Sequence, residues 1–128
     1  MTRRKSIHID GFAHTNPIPN ASMIGNLLVS GVIMGRDTRA DTVPDRIEEQ
    51  CAIMFRHVRD IVAAAGGTTD DIVKMTVWLK DAADRRALNA EWTAMFPDPE
   101  SRPARHALSL DSEAPVLIQC DIMAVIGD

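Results

Sequence analysis

Apolar and polar positions alternate most sharply near the C-terminus. Val116, Ile118, Cys120, Ile122 and Ala124 take every second place, with Leu117, Gln119, Asp121, Met123 and Val125 between them. Strand side chains point to alternate faces, so Val116 to Val125 reads as a strand with one wholly apolar face. Gln119 and Asp121 share the other face, about 7 Å apart along the strand. Val73 to Leu79 repeats the pattern, with Val73, Met75, Val77 and Leu79 set against Lys74, Thr76, Trp78 and Lys80. Within Met23 to Met34, the residues Leu27, Leu28, Val29, Val32 and Ile33 form a nearly continuous apolar run, as in a strand buried on both sides. Gly25-Asn26 marks a hairpin or bulge point there, and Gly31 a second break. Ser6 to Ile9 reads as a short first strand, followed by turn formers at Gly11, Asn16, Pro17, Pro19 and Asn20.

The period then changes to that of a helix. Ile47, Cys51, Met54, Phe55, Val58, Ile61, Val62 and Ala65 fall on one stripe, and Gly66-Gly67 ends it. Thr42 suits the N-cap, with Pro44 in the first turn and Asp45, Glu48 and Glu49 near the positive end of the dipole. Arg46, Gln50, Arg56, Arg59 and Asp60 fall mostly elsewhere on the wheel, and His57 is expected toward solvent or the sheet edge. Asp81 caps a second helix over Ala82 to Met95, striped by Leu88, Trp92, Met95 and Phe96 and stopped by Pro97 and Pro99. Arg102 and Arg105 stand at the mouth of a further strand. A polar turn joins that strand to Val116–Val125 as a C-terminal hairpin.

The expected order is β-β-α-β-α-β-β, an α+β single domain over residues 1–128, with 1–15 as an N-terminal strand and loop. Two amphipathic helices cover one face of such a sheet and not both. The second face carries Leu117, Met123, Val125 and Trp78, and apolar surface left in water costs about 25 cal/mol per Å². A homo-oligomer packing sheet against sheet is therefore expected, with Lys74, Gln119 and Asp121 in or beside the subunit contacts.

Composition adds limits. The chain has 128 residues and a net charge of −4, so the balance gives no reason to expect nucleic acid as a partner. No apolar run is long enough to cross a bilayer, and no apolar leader segment follows the basic residues Arg3 and Arg4. Cys51 and Cys120 lack paired spacing and read as small buried hydrophobes, which makes a reducing cytoplasm the expected compartment. His8, His14, His57 and His106 lack metal-ligand spacing, and no metal or cofactor is expected. No nucleophile elbow surrounds Ser30. An arginine beside a polar strand face suggests a site for a small anion.

Five segments, in the same order, resemble the Rid family of reactive intermediate deaminases, also called YjgF-like proteins. They are NLLVSG at Asn26–Gly31, the long helix ending AAAGG, DDIVKMTVWLKD at Asp70–Asp81, LNAEWTAMFP at Leu88–Pro97, and RPAR at Arg102–Arg105. The resemblance runs from about residue 16 to 125. It implies a chorismate-mutase-like fold, a homotrimer with sheets packed around a central barrel, and three clefts between subunits. It also implies cofactor-free hydrolysis of 2-imino or enamine acids to 2-keto acids and ammonia. In that pattern Arg105 clamps the substrate carboxylate, for which a planar guanidinium is well shaped. Ser30, Gly31 and Asn89 match cleft-lining positions.

The chain departs from the family pattern in three places. Gln119 stands where the deaminases carry a glutamate that handles water, and a neutral amide holds water without taking its proton. Asp121, facing the same way, aligns with a second family glutamate. Asn16-Pro17 replaces a frequent tyrosine, and Ala107 a frequent cysteine. The competing reading is a non-catalytic trimer that binds a small carboxylate or a partner. A ribonuclease activity fits poorly with the acidic balance and the lack of a basic aromatic patch.

Overall fold

The computed structural model describes residues 3–112 and 115–127. Four short strands come first: β1 (Arg4–Ile7), β2 (Ala21–Ile24), β3 (Leu27–Ser30) and β4 (Ile33–Met34). Helix α1 (Ile47–Ala64), strand β5 (Ile72–Leu79), helix α2 (Arg85–Met95), strand β6 (Ala104–Ser109) and strand β7 (Ile118–Val125) follow. One sheet has the order β1-β2-β3-β7-β5-β6, with β4 also paired to β7. All pairings are antiparallel except β5 with β6.

The α+β class holds, with both helices against one face of one sheet. Ile118, Cys120, Ile122 and Ala124 are buried there with Met75, Val77 and Leu79, under Met54, Val58, Ile61 and Leu88. The other face is open in the single chain. Leu27 and Val29 on β3 lie opposite Val125 and Met123 on β7, and all four are exposed. Trp78 and Leu117 are half-buried.

Several expectations need correction. The N-terminal part holds four strands rather than two. The Met23–Met34 stretch is shared among β2, β3 and β4: the expected hairpin point at Gly25-Asn26 is a two-residue turn, and the expected second break falls at Gly31-Val32. Gly25 has φ 58°, as the first position of such a turn requires. The expected continuous burial fails too: Leu28 and Ile33 are inside, while Leu27, Val29 and Val32 face out. The first strand begins and ends earlier than Ser6–Ile9, because the Ile9 N–H is taken by Asn20 Oδ1 (2.8 Å).

Arg46, not Thr42, occupies the N-cap position of helix α1, and its side chain makes no capping hydrogen bond. Thr42 exchanges backbone hydrogen bonds with Asp37 across a loop, so it is not at the helix entrance. Pro44 accordingly lies outside the first turn, and its carbonyl accepts from the Gln50 amide. At the other end Gly67 N–H bonds back to Val62 O (2.8 Å), the closure expected of a glycine stop. Asp81 does cap the next segment, accepting from Ala83 N–H. That first turn (Ala82–Asp84) is a 3-10 helix, and α2 begins only at Arg85.

A β-bulge between Ile72 and Lys74 changes one face assignment. Ile72 turns to the core and Val73 is thrown outward, while Lys74 stays on the open face beside Met123. The last strand starts at Ile118 rather than Val116, because Leu117 N–H leaves the ladder for Gln50 Oε1 (3.0 Å).

The largest correction concerns the C-terminal hairpin. β6 and β7 do not pair. β5 lies between them, antiparallel to β7 and parallel to β6, and helix α2 makes the crossover that a parallel pair requires. Part of the expected polar turn, at Glu113 and Ala114, lies outside the described residues.

Buried polar groups hold the loops to this frame. Gln50, fully buried, donates to Pro44 O and Pro115 O and accepts from Leu117 N–H. The Asn20 side chain joins Ile9 N–H to Phe12 O, while its backbone pairs with Ile7 O and Gly31 N–H. His57 is fully buried rather than near solvent, stacked on Phe12 with Nε2 at 2.6 Å from Arg36 O. Gly35 passes so close to α1 that any Cβ would collide with the Gln50 backbone.

Candidate active site

Arg105 lies on edge strand β6 in register with Met75, a core residue of β5. That register turns its side chain to the helix side of the sheet. There its guanidinium carbon is 4.8 Å from the centre of the Trp92 ring on α2, a cation–π distance. Trp92 is itself braced edge-to-face by Phe96. Burial, and then the positive charge of Arg85, hold the Arg105 guanidinium below its usual range. Its Nη1 is buried with no hydrogen-bond partner, and no carboxylate pairs with it among the described residues. A half-buried cation with an unused donor is an anion site in waiting.

Asn89 shares the α2 stripe with Trp92, three residues away, and is exposed. Arg105 thus lies on the helix side of the sheet, and Asn89 lies on α2 one turn before the ring on which Arg105 rests. Arg102 serves elsewhere, donating from Nε to Phe96 O (2.8 Å) at the end of α2.

Gln119 and Asp121 occupy the open face of β7 as expected, opposite Trp78 and Thr76 of β5. They are therefore on the other side of the sheet from Arg105, with β5 between their strands. Within one chain an anion held by Arg105 on the helix side does not meet them. Burial raises the Asp121 carboxyl above its usual range, offset by Lys74 and a hydrogen bond from Thr76. His106, in register with Thr76, also faces the open side.

Ser30 and Gly31 are occupied within the chain. Ser30 Oγ accepts from Ile122 N–H (2.8 Å) and donates to Gly31 O (2.8 Å), and Gly31 N–H donates to Asn20 O (2.9 Å). The Gly31 backbone donor is therefore already used within the chain. Ser30 instead ties β3 to β7, carrying β7 past the break that follows it.

Cys51 and Cys120 are free and buried, and burial pushes the Cys51 thiol up to about 12 and Cys120 upward as well, so neither is a poised nucleophile. Among the described residues no cluster of three or more metal-ligating side chains occurs, and no helix is long and apolar enough to cross a membrane. The N-terminal loop bounds a concavity of about 530 Å³ whose lining includes His8, His14, Asn16 and Pro17 but neither Arg105 nor Gln119. Trp92 and Arg85 are the members of the Arg105 environment that sequence reasoning missed. Their spacing to Asn89 along a helix was the available signal.

The family model described as endoribonuclease L-PSP matches residues 13–126. A RutC family protein of Pyrococcus abyssi is 33% identical over 111 residues, covering 84% of this chain and 85% of that one. A 2-iminobutanoate/2-iminopropanoate deaminase of Escherichia coli is 29% identical over 103 residues, covering 80% of each. Among solved structures, RidA from an Antarctic Psychrobacter superposes with a TM-score of 0.86 at 25% identity, covering 95% of this chain and 99% of that one. The YjgF product of Escherichia coli gives a TM-score of 0.85 at 28% identity, covering 94% and 98%.

Proposed function

We propose that this chain, which belongs to the endoribonuclease L-PSP family of Rid and YjgF-like proteins, is a hydrolytic deaminase of small 2-imino or enamine acids. The observation that carries this reading is the unpaired Arg105 guanidinium, stacked on Trp92 with a buried free donor. The deaminase name of the Escherichia coli relative agrees with it. Arg105 holds the substrate carboxylate in a two-pronged pair, and Asn89 shapes the site beside it. Water adds to the carbon of the protonated imine, both its protons pass to the nitrogen as the carbinolamine forms and collapses, and the C–N bond breaks to release ammonium. The product is a 2-keto acid.

Gln119 positions the attacking water but does not remove its proton, since an amide is not a base at ordinary pH. The protonated imine supplies the electrophilicity instead. Because Gln119 stands on the opposite sheet face from Arg105, the complete site takes Gln119 from a neighbouring subunit. The exposed Leu27, Val29, Met123 and Val125 favour a homotrimer packed sheet against sheet, with Lys74 and Asp121 near its contacts. Ser30 acts by fixing β3 against β7, and Gly31 by closing onto Asn20 just before β2, rather than by touching substrate. Ammonia and keto-acid release from freshly generated 2-iminobutyrate, wild type against Arg105→Ala, is the test. Equal rates would sink the role of Arg105.

Gln119 itself favours a second reading, a trimer that binds a small carboxylate without turning it over. Keto-acid binding with no turnover, persisting in Gln119→Glu, would support it. Turnover gained in Gln119→Glu would mark the site as an enzyme's.

A further inference from the structure

Arg85 opens α2, and Arg85, Asn89 and Trp92 follow one another at helical spacing along one stripe. Trp92 is the ring on which Arg105 rests, and after burial Arg85 is the charge that lowers Arg105 from its usual range. Two cations thus share one face. Ion pairs among the described residues join Arg36 to Asp41, Arg39 and Arg56 to Asp37, and Arg46 to Glu48. Neither Arg85 nor Arg105 takes part in any of them. Asn89, between Arg85 and Trp92, makes no side-chain hydrogen bond among the described residues. Like charges held together without a counter-ion repel, and one carboxylate neutralises only one of them. An apolar substrate tail laid along this face would also desolvate Arg85 without pairing it, which is costly. A second negative group on the ligand removes both penalties.

We infer that the Arg105 site is built for 2-imino dicarboxylic acids, with Arg105 holding the carboxylate beside the imine and Arg85 the distal one. This rests on reading Arg105 as the carboxylate clamp. Arg85 lies about 10 Å before Trp92 along α2, with Asn89 between them, so two long arginine side chains can close on the ends of a short diacid. The inference concerns choice of substrate, so Arg85 is a specificity residue and takes no part in bond breaking.

The test measures calorimetric affinity of the full-length protein for 2-oxoglutarate, 2-oxobutyrate and inorganic phosphate, in wild type, Arg85→Gln and Arg86→Gln. The diacid is expected to bind about ten- to a hundred-fold more tightly than the monoacid, the worth of one charge-assisted pair. That ratio falls toward one in Arg85→Gln and stays in Arg86→Gln, which makes the same charge change at the next position. A ratio near one in wild type, or one unmoved by Arg85→Gln, overturns the inference. Phosphate bound more tightly than the diacid, and dependent on Arg85, overturns the carboxylate assignment. Keto-acid release from imines of glutamate and of 2-aminobutyrate separates this from the parent reading. A diacid preference without turnover of either imine leaves the inference standing and defeats the deaminase. Turnover of 2-iminobutyrate without a diacid preference does the reverse.

Discussion

The guanidinium of Arg105 rests 4.8 Å from the centre of the Trp92 ring, and one of its terminal nitrogens is buried without a partner. The ring holds the fork in place while leaving its donors unused, so less conformational freedom is lost when a carboxylate arrives. In the proposed site the aromatic face is thus part of the anion clamp although it donates nothing to the anion.

Replacing that face should weaken binding more than chemistry. A cation–π contact contributes about 0.5–2 kcal/mol. Trp92→Leu is therefore expected to raise KM for 2-iminobutyrate roughly 3- to 30-fold, with a smaller change in kcat, and Trp92→Phe to fall between. Steady-state kinetics on the three proteins checks this. A loss confined to kcat would place Trp92 in the chemical step instead.

Arg105 and Gln119 stand on opposite sheet faces of one chain. If one site uses both, each alone can be destroyed and the pair rescued by mixing. Co-assembled Arg105→Ala and Gln119→Leu subunits are expected to recover activity well above the sum of the two pure variants. Activity equal to that sum would show that Gln119 serves no neighbour's Arg105.

His57 links stability to pH. Burial is the largest influence and keeps its imidazole below the usual range, with Arg56 acting the same way; the bond to Arg36 O, Asp60 and Asp37 push back. Its Nδ1 has no partner, so the neutral ring donating from Nε2 to Arg36 O is the form that fits. The unfolded chain then binds the extra proton first. Stability is full above the ordinary histidine value near 6.5 and declines as pH falls below it, toward the folded value. Urea midpoints measured from pH 7.5 to 5 should drop in the wild type, and His57→Phe should flatten that slope. An equally steep slope in the variant would remove His57 from the account.

Asn20→Ala should unfold more easily by about 2 kcal/mol, because Ile9 N–H and Phe12 O would both lose their partner inside the protein. Asn20→Asp keeps the acceptor for Ile9 but sets a carboxylate against Phe12 O, and should recover little. Chemical denaturation gives both numbers. A change under a few tenths of a kcal/mol would mean that the N-terminal loop is held by something else.

Alternation located the β7 core face from Ile118 to Ala124 almost residue for residue, since a strand's period leaves little freedom once one face is buried. Helical spacing did the same for α1 from Ile47 onward. Pairing was not legible in this way. Nothing in β6 or β7 says that β5 slides between them, because local pattern records which way a side chain points and not which strand lies beside it. That gap moved Arg105 to the far side of the sheet from Gln119. Polar residues with inward duties were missed for a related reason. Gln50, Asn20 and His57 look like surface or turn residues until the backbone groups they satisfy are in place. Val73 was misplaced by the bulge, which a two-residue period does not anticipate. The arginine that the structure sets against Trp92, by contrast, was already singled out in RPAR.

Arg85, Asn89, Trp92 and Arg105 all come from the single β5–α2–β6 crossover, whereas Gln119 comes from β7. In the proposed reading, the grip on the acid and the handling of water are therefore separable parts of one chain. A change at residue 119 leaves the grip untouched, and a change at Arg85 leaves the water strand untouched.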